Sequence, residues 1–152
     1  MKLRNATVDD VEQILELINF YSSKGVMLPK TLYRIYSAVE SFVVIEENNK
    51  IIGCSSVVVL WKDIAEIRSL AVSKEYVGKG IGKMLVDECI NKAYKLRVAK
   101  IIALTYQGNF FEKLGFMLVD KNLFYRKILI DCLDCPKLEM CDELAYVYQL
   151  NY

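Results

Sequence analysis

Histidine is absent from the 152 residues. That absence excludes Ser-His-Asp and Cys-His nucleophilic catalysis, His-ligated zinc chemistry and any imidazole acid or base. Proline is nearly absent, at two residues, and glycine numbers only seven, so no stretch reads as a linker. No internal repeat or low-complexity segment occurs. Long apolar runs are also lacking. Val57-Val-Val-Leu-Trp61 falls far short of the roughly 20 residues a bilayer-spanning helix needs. The opening Met1-Lys-Leu-Arg-Asn-Ala-Thr-Val-Asp-Asp10 turns polar within a few residues and has no signal-peptide hydrophobic region. Charge of one sign is missing too. Lys plus Arg number 20 and Asp plus Glu 19, for a net charge of +1. Such a balance gives no general attraction to nucleic acid or to acidic membranes, and any anion site must be local.

What is present is globular. Hydrophobic residues make up 54% and charged residues 26%, enough for one domain spanning 1–152 with a normal core. Five cysteines, an odd number, argue against a secreted disulfide framework and for a reducing cytoplasm. Whatever chemistry occurs must use carboxylate, tyrosine, thiol, lysine or backbone amides.

Thr7-Val-Asp-Asp10 has the form of a helix start. Val11, Ile14, Leu15, Ile18 and Tyr21 then repeat at helical spacing, and a stop is expected near Ser23-Lys-Gly25. Pro29-Lys-Thr31 opens a second helix carrying Leu32, Ile35, Tyr36 and Val39. Phe42–Glu46 and Ile51–Trp61 read as a hairpin about the turn Glu47-Asn-Asn-Lys50, and Ile64–Val72 as the next strand after Lys62-Asp63. A helix over 80–96 and a strand over 100–104 complete a βαβ unit, which implies a parallel strand pair. A short helix at Asn109–Leu114, a strand at Phe116–Val119 and an alternating final strand at 144–150 follow. The fold class is therefore α/β (α+β), a mixed antiparallel and parallel sheet flanked by helices. If left exposed, the final strand could pair between two chains and make a homodimer.

Gly78-Lys-Gly80-Ile-Gly82-Lys83, between strand and helix, is the most informative segment. Glycines let the backbone take positive φ and approach a ligand, and helix-start amides then converge on one small volume suited to a phosphate or diphosphate. Lys79 and Lys83 add local positive charge. The Walker spacing is absent, and the G-x-G-x-G order after an antiparallel hairpin is not a dinucleotide fingerprint.

The loop resembles the coenzyme A diphosphate loop of the GNAT acetyltransferases, Arg/Gln-x-x-Gly-x-Gly/Ala. Val77-Gly78-Lys79-Gly80-Ile81-Gly82 matches both glycines and departs at the first position, where Val77 stands. The resemblance covers about residues 1–120 in element order. Phe110-Phe-Glu-Lys-Leu-Gly-Phe116 looks like the family's Phe-Tyr-x-Lys-x-Gly-Phe segment. Within the superfamily the chain is most similar to short N-acetylglutamate synthase-like proteins, through Gly25–Lys30, Ala65–Val72, Leu104-Thr-Tyr106, Val119-Asp-Lys121 and the tail Asp131-Cys-Leu-Asp-Cys-Pro-Lys137 with Cys141-Asp-Glu143.

The resemblance implies acetyl-CoA as donor and a small-molecule amine, foremost the α-amine of glutamate, as acceptor. It places the pantetheine arm along Leu70, Ala71 and Val72, and the diphosphate on the amides from Val77 to Lys83. Glu66 stands where the superfamily often puts its general base; a strand-face ion pair with Arg68 is the competing reading, since residues two apart share a face. Leu70 N–H is suited to polarise the thioester carbonyl. The family's leaving-group tyrosine is replaced by Phe111, and Tyr106 is the nearest substitute, with a half-buried aromatic as its alternative. A dicarboxylate acceptor needs cations, for which Arg68 and Lys30 are candidates and Lys127 a weaker third.

Cys132-x-x-Cys135 with Cys141 offers three thiolates without the fourth ligand of structural zinc, so no metal is expected. A redox pair and plain reduced cysteines are the other readings. Two rival functions stand beside amino-acid acetylation: acetylation of another amine (glutamine, a polyamine, a protein N-terminus), and a non-catalytic CoA- or metal-binding sensor. At this length no kinase-like regulatory domain of the longer synthases is expected.

Overall fold

The structure, a computed structural model, describes residues 1–27, 30–121 and 143–152. Its elements are β1 (Lys2–Asn5), α1 (Val11–Ser22), α2 (Leu32–Ser37), β2 (Phe42–Glu47), β3 (Lys50–Trp61), β4 (Ile64–Val72), α3 (Ile81–Leu96), β5 (Lys100–Thr105), α4 (Gly108–Lys113), β6 (Met117–Val119) and β7 (Leu144–Gln149). The seven strands follow the order β1-β2-β3-β4-β5-β7-β6. The mixed α+β sheet is the expected class. The βαβ unit is present, with β4 and β5 parallel in the register Ile64↔Lys100, Ala65↔Ile101 and Glu66↔Ile102.

Two compact units divide the chain: Met1–Val58 with Ile67–Lys95, and Val59–Glu66 with Leu96–Tyr152. In the first, β1 runs antiparallel to β2 and β2 antiparallel to β3. The helical periodicity of α1 buries Val11, Ile14 and Ile18 against Ile35, Phe42, Val44, Ile51, Cys54 and Ala71. Each such buried aliphatic side chain contributes about 1.5–3 kcal/mol. Helix α3 buries Ile81, Leu85, Val86, Cys89, Ile90 and Ala93. It comes down close on β3 at Gly53, where a Cβ would stand 2.9 Å from Ile81 Cγ2 and 3.0 Å from Leu85 Cδ1. The missing side chain of Gly53 therefore sets how near the first turn of α3 lies to the strand.

In the second unit β7 pairs antiparallel with β5 on one side and β6 on the other. This corrects one expectation. The final strand is interior to the sheet and offers no free edge; among the described residues β1 and β6 are the outermost strands. Ile102 and Ala145 form a small core with Leu60, Ile64, Leu104, Val119 and Val147 around them. Helix α4 docks through an edge-on aromatic series, with Phe111 centred 5.1 Å from both Phe110 and Phe116. Its first residue, Gly108, admits the Tyr146 ring so closely that a Cβ would sit 2.3 Å from the phenol oxygen. The Tyr146 hydroxyl donates to Glu112 Oε1 at 3.0 Å.

No strand was expected at Lys2–Asn5, whose apolar content is Leu3 alone. An ionic clamp holds it. Arg4 donates through Nη1 and Nη2 to the two oxygens of Asp10 at 2.7 and 2.9 Å, and through Nε and Nη2 to Glu46 Oε1 at 2.9 and 2.7 Å. Asp10, 5% exposed, also accepts from Thr7 N–H at 2.7 Å. The Arg4 hydrogen bond holds the Asp10 carboxyl below the usual carboxylate range, against the opposing effect of burial.

A carboxyl acidified by folding stabilises the fold fully above its unfolded pKa, near 3.9, and loses that contribution as pH falls through the folded value. Asp10→Asn is therefore expected to cost about 1–3 kcal/mol at neutral pH. Denaturant melts of both proteins should converge as pH drops below about 4. A gap that stays constant with pH would show that the clamp contributes through shape alone.

Candidate active site

The candidate site grows from the end of β4. Ser69, inside the strand, has φ +55°. A non-glycine residue in that region costs about 1–2 kcal/mol and needs compensation. The compensation comes from β3. The Ser56 hydroxyl donates to the Arg68 carbonyl at 3.2 Å, the Ser55 hydroxyl reaches the same oxygen at 3.4 Å, and Cys54 Sγ reaches the Ser69 carbonyl at 3.4 Å. All three side chains are buried. They bond the carbonyl groups of Arg68 and Ser69 and so hold the left-handed turn of the chain immediately before Leu70, Ala71 and Val72. The sequence reading missed this left-handed residue. Its signal was there: a buried Cys-Ser-Ser run interrupting an otherwise branched strand.

Beyond the bulge, Ala71 is 2% exposed and points into the α1 core, so its contribution to any ligand is its backbone. The Tyr21 hydroxyl donates to the Val72 carbonyl and ties the strand end to α1. Ser73 N–H bonds the Ile52 carbonyl at 2.8 Å, and a short turn at Lys74–Tyr76 closes with Tyr76 N–H on the Ser73 carbonyl at 2.8 Å.

The glycine loop follows. Gly78 and Gly80 take φ +84° and +82°, and a Cβ at either would meet nothing within 4 Å. The space beside both is open. Met84 N–H bonds the Gly80 carbonyl at 3.1 Å. The amides of Ile81, Gly82 and Lys83 therefore precede the helical ladder of α3 and have no carbonyl of their own helix to bond. Open space next to glycines of positive φ, facing the positive end of a 16-residue helix, fits a diphosphate. Val77 is 62% exposed with extended backbone, so its departure from Arg or Gln leaves the amide arrangement intact. Lys83 is paired with Asp87 at 2.8 Å, while Lys79 lies over the Tyr76 ring, 5.2 Å from its centroid.

The remaining candidates are placed as follows. Glu66 is 3% exposed, opposite Ile102 on β5, and Tyr106 directly follows β5; both belong to the second unit. Arg68, partly buried, stands two residues after Glu66 on β4 and belongs to the first unit with the loop. Lys30, partly buried, precedes Thr31, whose hydroxyl caps α2 by accepting from Arg34 N–H at 3.2 Å. Phe111 is 4% exposed and belongs to the aromatic core. Tyr146, a phenol the motifs did not point to, lies under the first turn of α4, its pKa pushed up by burial and by Glu112. Lys127, Cys132, Cys135 and Cys141 lie outside the described residues. Among the described residues no three His, Cys, Asp or Glu side chains are grouped to hold a metal ion. Burial pushes the Cys54 thiol up to about 12 and that of Cys89 to about 11. Among the described residues no helix is long and apolar enough to cross a membrane.

A strand with a left-handed residue, leading through a two-glycine turn into helix-start amides, is an arrangement suited to an anionic coenzyme. The chain belongs to the acetyltransferase (GNAT) family, whose model matches residues 9–116. It is an acetyl-CoA-dependent enzyme that transfers acetyl to an amine. Among its relatives, an uncharacterized N-acetyltransferase of Chlorobaculum tepidum is 34% identical over 97% of this chain and 96% of its own length. The amino-acid acetyltransferase of Mycobacterium tuberculosis is 37% identical over 75% of this chain and 67% of its own length. A longer amino-acid acetyltransferase of Buchnera aphidicola is 31% identical over 93% of this chain, which spans 33% of that enzyme. A Mycobacterium tuberculosis protein solved in complex with CoA superposes with a TM-score of 0.86 at 28% identity, covering 99% of this chain and 100% of that one. The N-acetylglutamate synthase of Neisseria gonorrhoeae, solved with coenzyme A and N-acetyl-glutamate, shares the fold at TM-score 0.88 and 22% identity, over 99% of this chain and 35% of that one.

The loop makes a direct prediction. Gly80→Ala keeps the charge but forces an L side chain into φ +82°. The loop should relax away from that conformation, and CoA affinity by isothermal titration should fall about tenfold, or about 1.4 kcal/mol. Unchanged affinity would mean that CoA does not use this turn. The two buried thiols make another: Cys54 and Cys89 should stay unlabelled by a thiol reagent at pH 8 until the protein is unfolded.

Proposed function

We propose that this chain, as one catalytic domain over 1–152, transfers acetyl from acetyl-CoA to the α-amine of an amino acid, foremost L-glutamate. That is the first step of a cytoplasmic route to arginine. The observation that carries the reading is a buried carboxylate, Glu66, two residues from a guanidinium, Arg68, on the strand that leads into the glycine loop. The amino-acid acetyltransferase relatives support it.

In this reading the amides from Val77 to Lys83 hold the diphosphate, and the backbone of Leu70, Ala71 and Val72 lines the pantetheine arm. Arg68 grips one acceptor carboxylate bidentately, and Lys30 takes the second. Glu66 removes a proton from the acceptor ammonium, directly or through a water, and frees the nitrogen lone pair. Leu70 N–H, just past the left-handed Ser69, stabilises negative charge on the thioester oxygen as the new C–N bond forms. When the C–S bond breaks, Tyr106 supplies the proton that the thiolate takes up, because Phe111 has none to give; the nitrogen sheds its second proton, which restores the Tyr106 hydroxyl through solvent, and Glu66 releases the first to solvent. The products are the N-acetylamino acid and CoA. The small-molecule acceptor is the only partner this chemistry needs.

Thiol release from acetyl-CoA across the twenty amino acids and several polyamines tests the reading. Glutamate should give the highest kcat/KM. Glu66→Gln should lower kcat by about 10²–10³ while the KM for acetyl-CoA stays within about twofold. Arg68→Ala and Lys30→Ala should raise the KM for glutamate more than they lower kcat. Turnover confined to polyamines, or a glutamate KM indifferent to both substitutions, would overturn the amino-acid reading.

A further inference from the structure

Two lysines of α3 are held in opposite ways. Lys83, on the first turn, is exposed and donates to the Asp87 carboxylate at 2.8 Å. A carboxylate attracts an ammonium far more than a neutral amine, so it keeps that proton in place. Lys92, further along the same helix, is partly buried. Its Nζ donates at 3.0 Å to the main-chain carbonyl of Glu40, in the short turn at Val39–Ser41 between α2 and β2. It is ion-paired with no carboxylate among the described residues.

A carbonyl oxygen accepts from a neutral amine as well as from an ammonium, so this partner does not hold the proton as Asp87 does. The surroundings act in the same direction. Burial takes water from the Lys92 ammonium and lowers its pKa; Cys89 and Glu88 oppose that effect and Lys95 adds to it. A neutral Lys92 can give one N–H to the Glu40 carbonyl and still keep its lone pair. The donor of this family, acetyl-CoA, is sensitive to that difference. A thioester acylates a free amine and leaves an ammonium, which has no lone pair, untouched.

We infer that Lys92 is a modification site, at which an acetyl thioester in solution acetylates the protein itself faster than at exposed lysines away from the glycine loop. The nitrogen lone pair forms a C–N bond to the thioester carbonyl carbon. The C–S bond breaks with its electron pair on sulfur, and the nitrogen gives up one proton, which solvent carries to the thiolate. The products are an acetylated Lys92, which keeps one N–H and loses its charge, and a free thiol. The step takes no other reactant. The site is independent of which amine the enzyme acetylates and of where the coenzyme diphosphate sits.

Peptide mass spectrometry of the whole protein, after timed exposure to S-acetyl-N-acetylcysteamine, reads the rate at each lysine. This short thioester lacks the nucleotide, so the glycine loop gives it no advantage beside Lys79 or Lys83. Lys92 should be acetylated at least about threefold faster than Lys95, the exposed lysine one turn on, and than the exposed Lys62. In urea, where the burial and the Glu40 contact are lost, the three rates should come within about twofold of one another. Acetyl-CoA should reproduce the native order among the same three lysines, and a different leader with either donor would overturn the site. So would a Lys92 lead that persists undiminished in urea, since local sequence rather than the fold would then be its cause.

Discussion

A helix begins with amide groups that its own backbone cannot satisfy. In a protein this close to electrical neutrality, that local excess of donors is the chief means of holding an anion. The geometry around α3 preserves it. Gly53 lets the first turn of the helix lie hard against β3, so its axis is set by packing. Gly78 and Gly80 then bring the chain into the helix through two positive-φ turns without covering the amides with a side chain. A cap residue such as Ser or Asp before α3 would stabilise the helix by filling the same donors. Its absence costs some helix stability and keeps the donors for a ligand.

The second constraint is the interruption of β4. A regular strand would commit its N–H and C=O groups to its neighbours. The left-handed Ser69 breaks that commitment just before Leu70, and the hydroxyls of Ser55 and Ser56 with the Cys54 thiol take up the carbonyl groups displaced. Polar side chains buried in β3 thus replace backbone partners, which is why they are small: a branched residue there could neither fit nor accept the role. The distortion and the glycine turn are a few residues apart on one strand–loop–helix connection. A single stretch of chain therefore carries both the strained and the unsatisfied backbone.

Much of this arrangement could be read from residue order, and the exceptions have physical causes. The hairpin, the parallel β4–β5 pair, α3 and its loop follow from long, strongly periodic segments bounded by turn residues. β1 escaped because a four-residue polar edge strand has no periodicity to display; it is held by Arg4 reaching residues six and 42 positions away. The interior place of β7 escaped because alternation specifies a strand and its faces but says nothing of its neighbours. Phe111 could be seen as a departure from the family's tyrosine. Where the nearest phenol then stands could not, since Tyr146 reaches α4 across 34 residues of sequence. The left-handed Ser69 is the hardest case, because the residue is ordinary and only its partners are unusual.

Selectivity has to be sought away from the amides. Backbone donors at a helix start recognise an anion and say little about what carries it, so they cannot tell one acyl carrier from another, or one acceptor from another. Discrimination must come from side chains held at a definite place relative to that common anchor. Beside the glycine turn one such group is the Lys79 ammonium, which rests over the Tyr76 ring. Two further cations stand next to fixed backbone: Arg68, whose carbonyl β3 bonds beside the left-handed Ser69, and Lys30 beside the capped start of α2. Each of these cations sits on a backbone immobilised by other residues. It can therefore be replaced without disturbing the anchor, which is how one fold can keep its coenzyme while its acceptor changes.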